Sequence, residues 1–100
     1  LLIGTFNGGL LEFDGKIFRE IKSENKTIKN ITFVKKENAA LLVGTFDNGL
    51  WIYENSVWKH FTTAENLPSN RAVGAVKNGE KLLIATDFGL SVLENDKIRT

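Results

Sequence analysis

The sequence predicts an all-β protein built from short antiparallel strands. Three observations support this prediction: a repeat of about 40 residues, apolar segments shorter than a typical helix, and Gly, Asn or Asp where the segments end. β-branched and aromatic residues fill the segments, as is typical of strands. Apolar residues do not recur at helical spacing over three turns, and this disfavours a helical repeat.

The repeat is visible directly in the letters. LLIGTFNGGL at 1–10 aligns with LLVGTFDNGL at 41–50 and with LLIATDFGL at 82–90, which is one residue shorter. Each copy contains a Gly-Leu pair, and these pairs begin 40 residues apart at Gly9, Gly49 and Gly89. A period near 40 fits propeller blades or helical repeats, and the strand-like segments favour blades of four antiparallel strands.

The predicted strands of each blade are ordered from the propeller axis outward. The innermost strands are 31–35 and 72–77, and the second strands are 1–6, 41–46 and 82–86. The third strands are 10–14, 50–54 and 90–94, and the outermost are 16–21, 57–61 and 98–100. Asp14-Gly15 is a strong hairpin signal because both residues tolerate positive φ. The long connections are 23–29 and 62–70.

The predicted fold is a β-propeller fragment of about two and three-quarter blades. Residues 1–21 supply the outer three strands of one blade, 22–61 a complete blade and 62–100 a complete or nearly complete blade, all within one propeller domain. A closed propeller has about 4–8 blades, more than this chain supplies. Leu50 and Trp51 point to opposite faces, so both faces of a blade are apolar. We therefore expect the segment to belong to a longer chain or to associate with copies of itself.

Composition excludes several classes of function. Thirteen basic and twelve acidic residues give a net charge of +1, without the basic excess typical of nucleic-acid binding. Cysteine is absent and His60 is the single histidine, which excludes thiolate chemistry and multi-histidine metal clusters. No apolar run approaches the roughly 18 residues of a membrane span. The sequence predicts no cofactor, no nucleic-acid partner and no membrane contact by this segment.

The segment 65–96, ENLPSNRAVGAVKNGEKLLIATDFGLSVLEND, resembles the two-component regulator propeller repeat. The Leu-Pro-Ser-Asn turn at 67–70, the Leu-Val-Gly-Thr strand at 42–45 and the Gly-Leu pairs match that family's unit. Ala85 replaces the strand glycine, and residues 23–30 lack the Leu-Pro-Ser-Asn turn. The resemblance implies the periplasmic or extracellular sensor region of a bacterial signal-transduction protein. It also implies a ligand-sensing or assembly module, not an enzyme.

Two other functions fit the same fold. The chain could be part of a propeller hydrolase or lyase whose catalytic residues lie on other blades. It could also be a structural mini-propeller that assembles from several copies.

The candidate binding residues lie at one end of the predicted propeller, where the turns after the second strands share an end with the inter-blade loops. They are Phe6, Asn7, Phe46, Asp47, Arg71, Asp87 and Phe88. Aromatic faces with Asn or Asp favour a glycan, a peptide or a small molecule as the ligand.

The alternative is that these residues serve the turns alone. Asn and Asp with Gly are what tight turns require, and a neighbouring Phe often packs on the next blade. A calcium site or a catalytic pair at Asp47 and Asp87 is disfavoured, because no dense cluster of acidic residues is present. His60, on an outermost strand, is predicted to face solvent.

Overall fold

The computed structural model describes residues 1–6, 8–23 and 26–99. Twelve β-strands and one 3₁₀-helix make up the regular structure of this part. The strands are β1 (Leu2–Gly4), β2 (Leu10–Phe13), β3 (Phe18–Ser23), β4 (Lys26–Thr27), β5 (Ile31–Glu37), β6 (Ala40–Thr45), β7 (Leu50–Glu54), β8 (Val57–Phe61), β9 (Ala72–Asn78), β10 (Lys81–Thr86), β11 (Gly89–Glu94) and β12 (Lys97–Arg99). The 3₁₀-helix, η1, spans Thr63–Glu65.

The strands form three four-stranded antiparallel sheets, which confirms the prediction of an all-β fold. The first sheet contains β1–β4, the middle sheet β5–β8 and the last sheet β9–β12, each with consecutive strands side by side. Tight turns join β7 to β8 and β11 to β12, because Asn tolerates positive φ. Asn55 and Ser56 have φ of 55° and 63°, and Asn95 and Asp96 have φ of 54° and 60°.

The first sheet differs from the sequence prediction at both of its edges. β3 continues to Ser23, and the predicted loop 23–29 contains β4, which pairs with β3 on the outer side. The Thr27 hydroxyl donates a 2.6 Å hydrogen bond to Glu20 Oε2 and holds β4 there. β1 ends at Gly4, before the predicted position 6, and Thr5 N and Oγ1 both donate to the Gly9 carbonyl in the turn that follows. The last predicted strand, 98–100, is observed as Lys97–Arg99, and Thr100 lies outside the described residues.

The three sheets stack face to face, with the middle sheet covered on both sides. Leu42, Leu50 and Ile52 are buried against the last sheet in a core that also contains Leu82 and Ile84. Val43 is buried on the opposite face with Leu10 of the first sheet, and Trp51 and Trp58 pack around them. Side chains alternate along a strand, so neighbouring residues of β6 serve two different cores.

All three sheets use one side-chain register. We call the two faces of each sheet its front and its back. The front face of the middle sheet packs on the first sheet, and its back face packs on the last sheet. The front faces carry the repeat equivalents Ile3, Val43 and Ile84, and the back faces carry Leu2, Leu42 and Leu83. The inner strands are tied across the last junction, because the Thr32 hydroxyl donates to the Ala72 carbonyl at 2.5 Å.

Candidate functional site

Backbone hydrogen bonds bring the turns after β1, β6 and β10 to one end of the stack. Asn30, which precedes β5, donates its N–H to the Phe6 carbonyl at 2.6 Å and accepts from Phe46 N at 2.7 Å. Arg71, which precedes β9, accepts from Asp87 N at 3.3 Å in the same way. The residue before each inner strand therefore anchors the turn of its own sheet, and Asn30 also anchors the turn of the first sheet.

Four of the sequence-predicted site residues form a continuous row across the three sheets, which we call the rim row: Phe6, Phe46, Arg71 and Asp87. The Phe6 and Phe46 rings meet edge to face, with centroids 6.0 Å apart. The Arg71 guanidinium lies 3.9 Å from the centroid of the Phe46 ring, within cation–π distance. Its Nη1 is 3.7 Å from Asp87 Oδ2.

The other predicted site residues lie outside the rim row. Asp47 Oδ2 accepts a 2.9 Å hydrogen bond from Asn30 Nδ2, so its carboxylate is engaged beside the row. Phe88 is 79% exposed, and its backbone N–H donates to the Thr86 hydroxyl. Asn7 lies outside the described residues.

The rim row combines apolar faces with one cation and one carboxylate. Both Phe rings are exposed at the surface, and Arg71 retains partly exposed Nη donors. Arg71 Nε is buried and has no hydrogen-bond partner among the described residues. The row offers stacking area, a forked hydrogen-bond donor and an acceptor within one short span, a combination used in ligand recognition. In the described part of the chain, no three metal-ligating side chains are grouped to hold an ion.

His60, predicted to face solvent, is half-buried because one face of its ring is covered by Trp51. Its ring stacks on the Trp51 indole at 3.7 Å with an interplanar angle of 7°, and its Nε2 lies 2.6 Å from the Asn48 carbonyl oxygen. The tight turn at Asn55 and Ser56 sets this contact, because it places residue 60 directly opposite residue 51 on the front face. That pairing is the signal in the sequence that would have predicted the stack.

A groove that the sequence did not predict lies between the first and middle sheets, at the end opposite the rim row. Its volume is about 460 Å³. Its lining includes Leu2, Ile21, Leu41, Tyr53 and Trp58. The equivalent groove between the middle and last sheets is crossed by two ion pairs, Lys77–Glu54 at 3.0 Å and Lys59–Asp96 at 2.7 Å. The aromatic groove is therefore a second concave surface, with a different chemistry.

The connection that positions Arg71 contains η1, which sequence analysis treated as loop. Thr62 caps it: its hydroxyl accepts from Ala64 N at 3.1 Å, and its N–H donates to Glu65 Oε1 at 2.7 Å. Asn70 then ties the connection to the middle sheet, because its carbonyl accepts from Gly49 N at 2.8 Å. The Thr-x-x-Glu spacing is the capping-box signature and could have predicted this turn.

The capping box predicts a pH-dependent contribution to stability. Hydrogen bonds from the Thr62 backbone N–H and hydroxyl lower the pKa of Glu65 below its usual value of 4.5. A lowered pKa in the folded state means that the cap stabilises the fold above pH 4.5 and loses this effect as pH falls further. The midpoint of thermal unfolding of Glu65→Gln should therefore lie below the wild-type midpoint at pH 7, and the gap should close towards pH 3. Glu80→Gln, at an exposed turn glutamate, is the control, and a gap independent of pH would contradict the prediction.

Comparisons of the chain with protein-family models, with curated proteins and with solved structures find no match. Within the described ranges, no helix has the length and apolar character needed to cross a bilayer. The described residues define an all-β repeat protein of three stacked antiparallel sheets, with an aromatic and charged row across one end. A functional assignment therefore rests on this geometry.

Proposed function

We propose that the chain is a section of a β-propeller that acts as a non-catalytic binding module. The rim row carries this proposal, because one residue set spans all three sheets and combines aromatic, cationic and acidic groups. The resemblance to the two-component regulator propeller repeat further suggests the sensor region of a bacterial signalling protein, in the periplasm or outside the cell.

The stacking supports a propeller as the parent architecture. Each sheet is a four-stranded antiparallel unit, and the back face of one sheet packs on the front face of the next in a constant register. The inner strands β5 and β9 approach closely enough for a side-chain hydrogen bond from Lys35 Nζ to the Ala75 carbonyl at 3.3 Å. Closely spaced inner strands and a repeated junction are what radial packing of blades requires.

The rim row favours a ligand with a flat apolar face and an oxygen acceptor beside it. The Phe6 and Phe46 rings would stack on the apolar face, and the Nη groups of Arg71 would donate to a carboxylate, a carbonyl or a hydroxyl. Asp87 would accept from a hydroxyl or an amine. A glycan or a short peptide carries these groups together.

A ligand on the rim row would contact three sheets at once, and this supports a sensing role. Phe6 belongs to the first sheet, Phe46 to the middle sheet and Arg71 to the last. A ligand that bridges them binds best to one relative arrangement of the sheets, and its binding energy would shift the population towards that arrangement. The signal would then pass through packing, without chemistry at this site.

The test is a binding measurement on the 100-residue chain with defined probes. Neutral oligosaccharides, uronic-acid oligosaccharides and short peptides would be titrated while backbone amide resonances are recorded. We expect shifts centred on Phe46, Arg71 and Asp87. Arg71→Gln should weaken binding about tenfold or more, since a hydrogen bond to a charged group contributes about 1.5–3 kcal/mol.

Arg99→Gln is the matched control, because Arg99 is an exposed arginine on β12 that pairs with Glu94. It should leave the affinity unchanged. Shifts centred on the aromatic groove, or equal losses in both arginine variants, would contradict binding at the rim row.

A further inference from the structure

The sequence contains Asn-Gly pairs at 7–8, 48–49 and 78–79. Asparagine is among the thermolabile residues. The backbone nitrogen of the following residue can attack its side-chain amide, and glycine favours this attack because it has no Cβ atom to hinder it. Asn7 lies outside the described residues, so the comparison concerns Asn48 and Asn78. Both side chains are exposed, and exposure alone therefore does not distinguish the two sites.

The Asn48-Gly49 pair is held on both sides of the reacting atoms. The Gly49 N–H donates to the Asn70 carbonyl at 2.8 Å. The Asn48 N–H donates to the Thr45 hydroxyl at 2.9 Å. Gly49 is buried, and a Cβ atom placed on it would overlap the Phe61 carbonyl. The Gly49 nitrogen therefore cannot lose its proton and approach the Asn48 side chain unless this part of the fold opens.

The Asn78-Gly79 pair lies at an open two-residue turn between β9 and β10. Asn78 pairs with Lys81 across the hairpin, and Gly79 is exposed. Among the turn hydrogen bonds of the described residues, none is donated by the Gly79 N–H. Apart from its chain neighbours, no heavy atom lies within 4 Å of the position that a Gly79 Cβ would take. The Gly79 nitrogen can therefore reach the Asn78 side chain without loss of a hydrogen bond or of packing.

We propose that Asn78 is a site of spontaneous deamidation and that the fold protects Asn48 from the same reaction. The Gly79 nitrogen gives its proton to hydroxide and attacks Cγ of Asn78. A bond forms between these two atoms, the Cγ–Nδ2 bond breaks, and ammonia leaves with a proton taken from water. Water then opens the cyclic imide at either carbonyl carbon and gives aspartate or isoaspartate. This inference goes beyond the proposed ligand binding and does not depend on it.

The product carries a carboxylate in place of a neutral amide, so the net charge at pH 7 falls from +1 to zero. In the aspartate product this carboxylate lies across the hairpin from Lys81, and opposite charges at such positions attract. Glu37 is the equivalent of Asn78 in the middle sheet, because each ends its inner strand. Glu37 forms a 2.8 Å ion pair with Lys35. Deamidation therefore gives the last sheet the acidic strand end that the middle sheet already has.

The test is mass spectrometry of the folded 100-residue chain during incubation in mildly alkaline buffer. Cleavage after Arg19 and Arg71 places the three asparagines, Asn7, Asn48 and Asn78, on different peptides. Each conversion changes the peptide mass by the exchange of NH₂ for OH, and fragment ions assign the converted residue. We expect Asn78 to convert at least about tenfold faster than Asn48, because the Asn48 turn must first open and lose its hydrogen bonds.

Two controls separate protection by the fold from the reactivity of the Asn-Gly pair itself. In guanidinium chloride the unfolded chain should convert Asn48 and Asn78 at similar rates. Gly79→Ala should slow conversion of Asn78 in the folded chain and leave Asn48 unchanged, because a methyl group hinders the attack. Circular dichroism verifies that this variant keeps its fold. Equal rates at the two sites in the folded chain, faster conversion of Asn48, or a difference that persists in denaturant would overturn the proposal.

Discussion

Replacing Gly49 with alanine is expected to lower the free energy of unfolding by about 2–5 kcal/mol. Gly49 has a φ of +76°, which costs other residues roughly 1–2 kcal/mol. A Cβ atom there would also overlap the backbone carbonyl of Phe61, and overpacking of this kind costs about 1–3 kcal/mol. The backbone is held in place, since the Gly49 N–H donates to the Asn70 carbonyl and its own carbonyl accepts from Thr45. Urea denaturation monitored by tryptophan fluorescence measures the loss.

Gly79→Ala is the control that separates the overlap from the backbone strain. Gly79 has a φ of +66°, but no heavy atom lies within 4 Å of the position its Cβ would take. It should therefore lose only the strain contribution, about 1–2 kcal/mol. Equal losses in the two variants would mean that the contact with Phe61 does not restrict position 49.

The strands and their order could be predicted from the sequence because the turn residues agree with the 40-residue repeat. The same period appears in the Gly-Leu pairs, in the strand lengths and in the Asn-containing turns. β4 could not be predicted, because Lys26 and Thr27 are polar and join β3 by a two-residue pairing and the hydrogen bond from Thr27 to Glu20.

The end of the stack on which the rim residues lie was predictable, but their contacts were not. Strand direction alternates in an antiparallel sheet, so the turns after the second strands share one end. Arg71 could have reached Asp47 or Asp87, and the choice depends on rotamers that only the packed structure fixes. In the structure Arg71 covers Phe46 and lies near Asp87, while Asn30 engages Asp47.

Leu50→Ala should cost about 2–5 kcal/mol, the range for removing a large aliphatic side chain from a packed core. Leu50 is fully buried at the junction of the middle and last sheets, beside Phe61 and Ile84. Val57→Ala, on the exposed end of β8, is the control and should change stability by less than about 0.5 kcal/mol. Equilibrium denaturation of both variants gives the comparison.

Leu90 is the equivalent of Leu50 in the last repeat. Replacing it with alanine tests whether burial or position in the repeat sets the loss of stability. Leu90→Ala should cost less than about 0.5 kcal/mol, because Leu90 is 72% exposed on the last sheet. Leu50→Ala should cost the full range of about 2–5 kcal/mol for a large aliphatic side chain in a packed core, because Leu50 lies between two sheets of this chain. Similar losses of stability at the two positions would mean that Leu90 is buried in solution, which would contradict the stacked arrangement of the sheets.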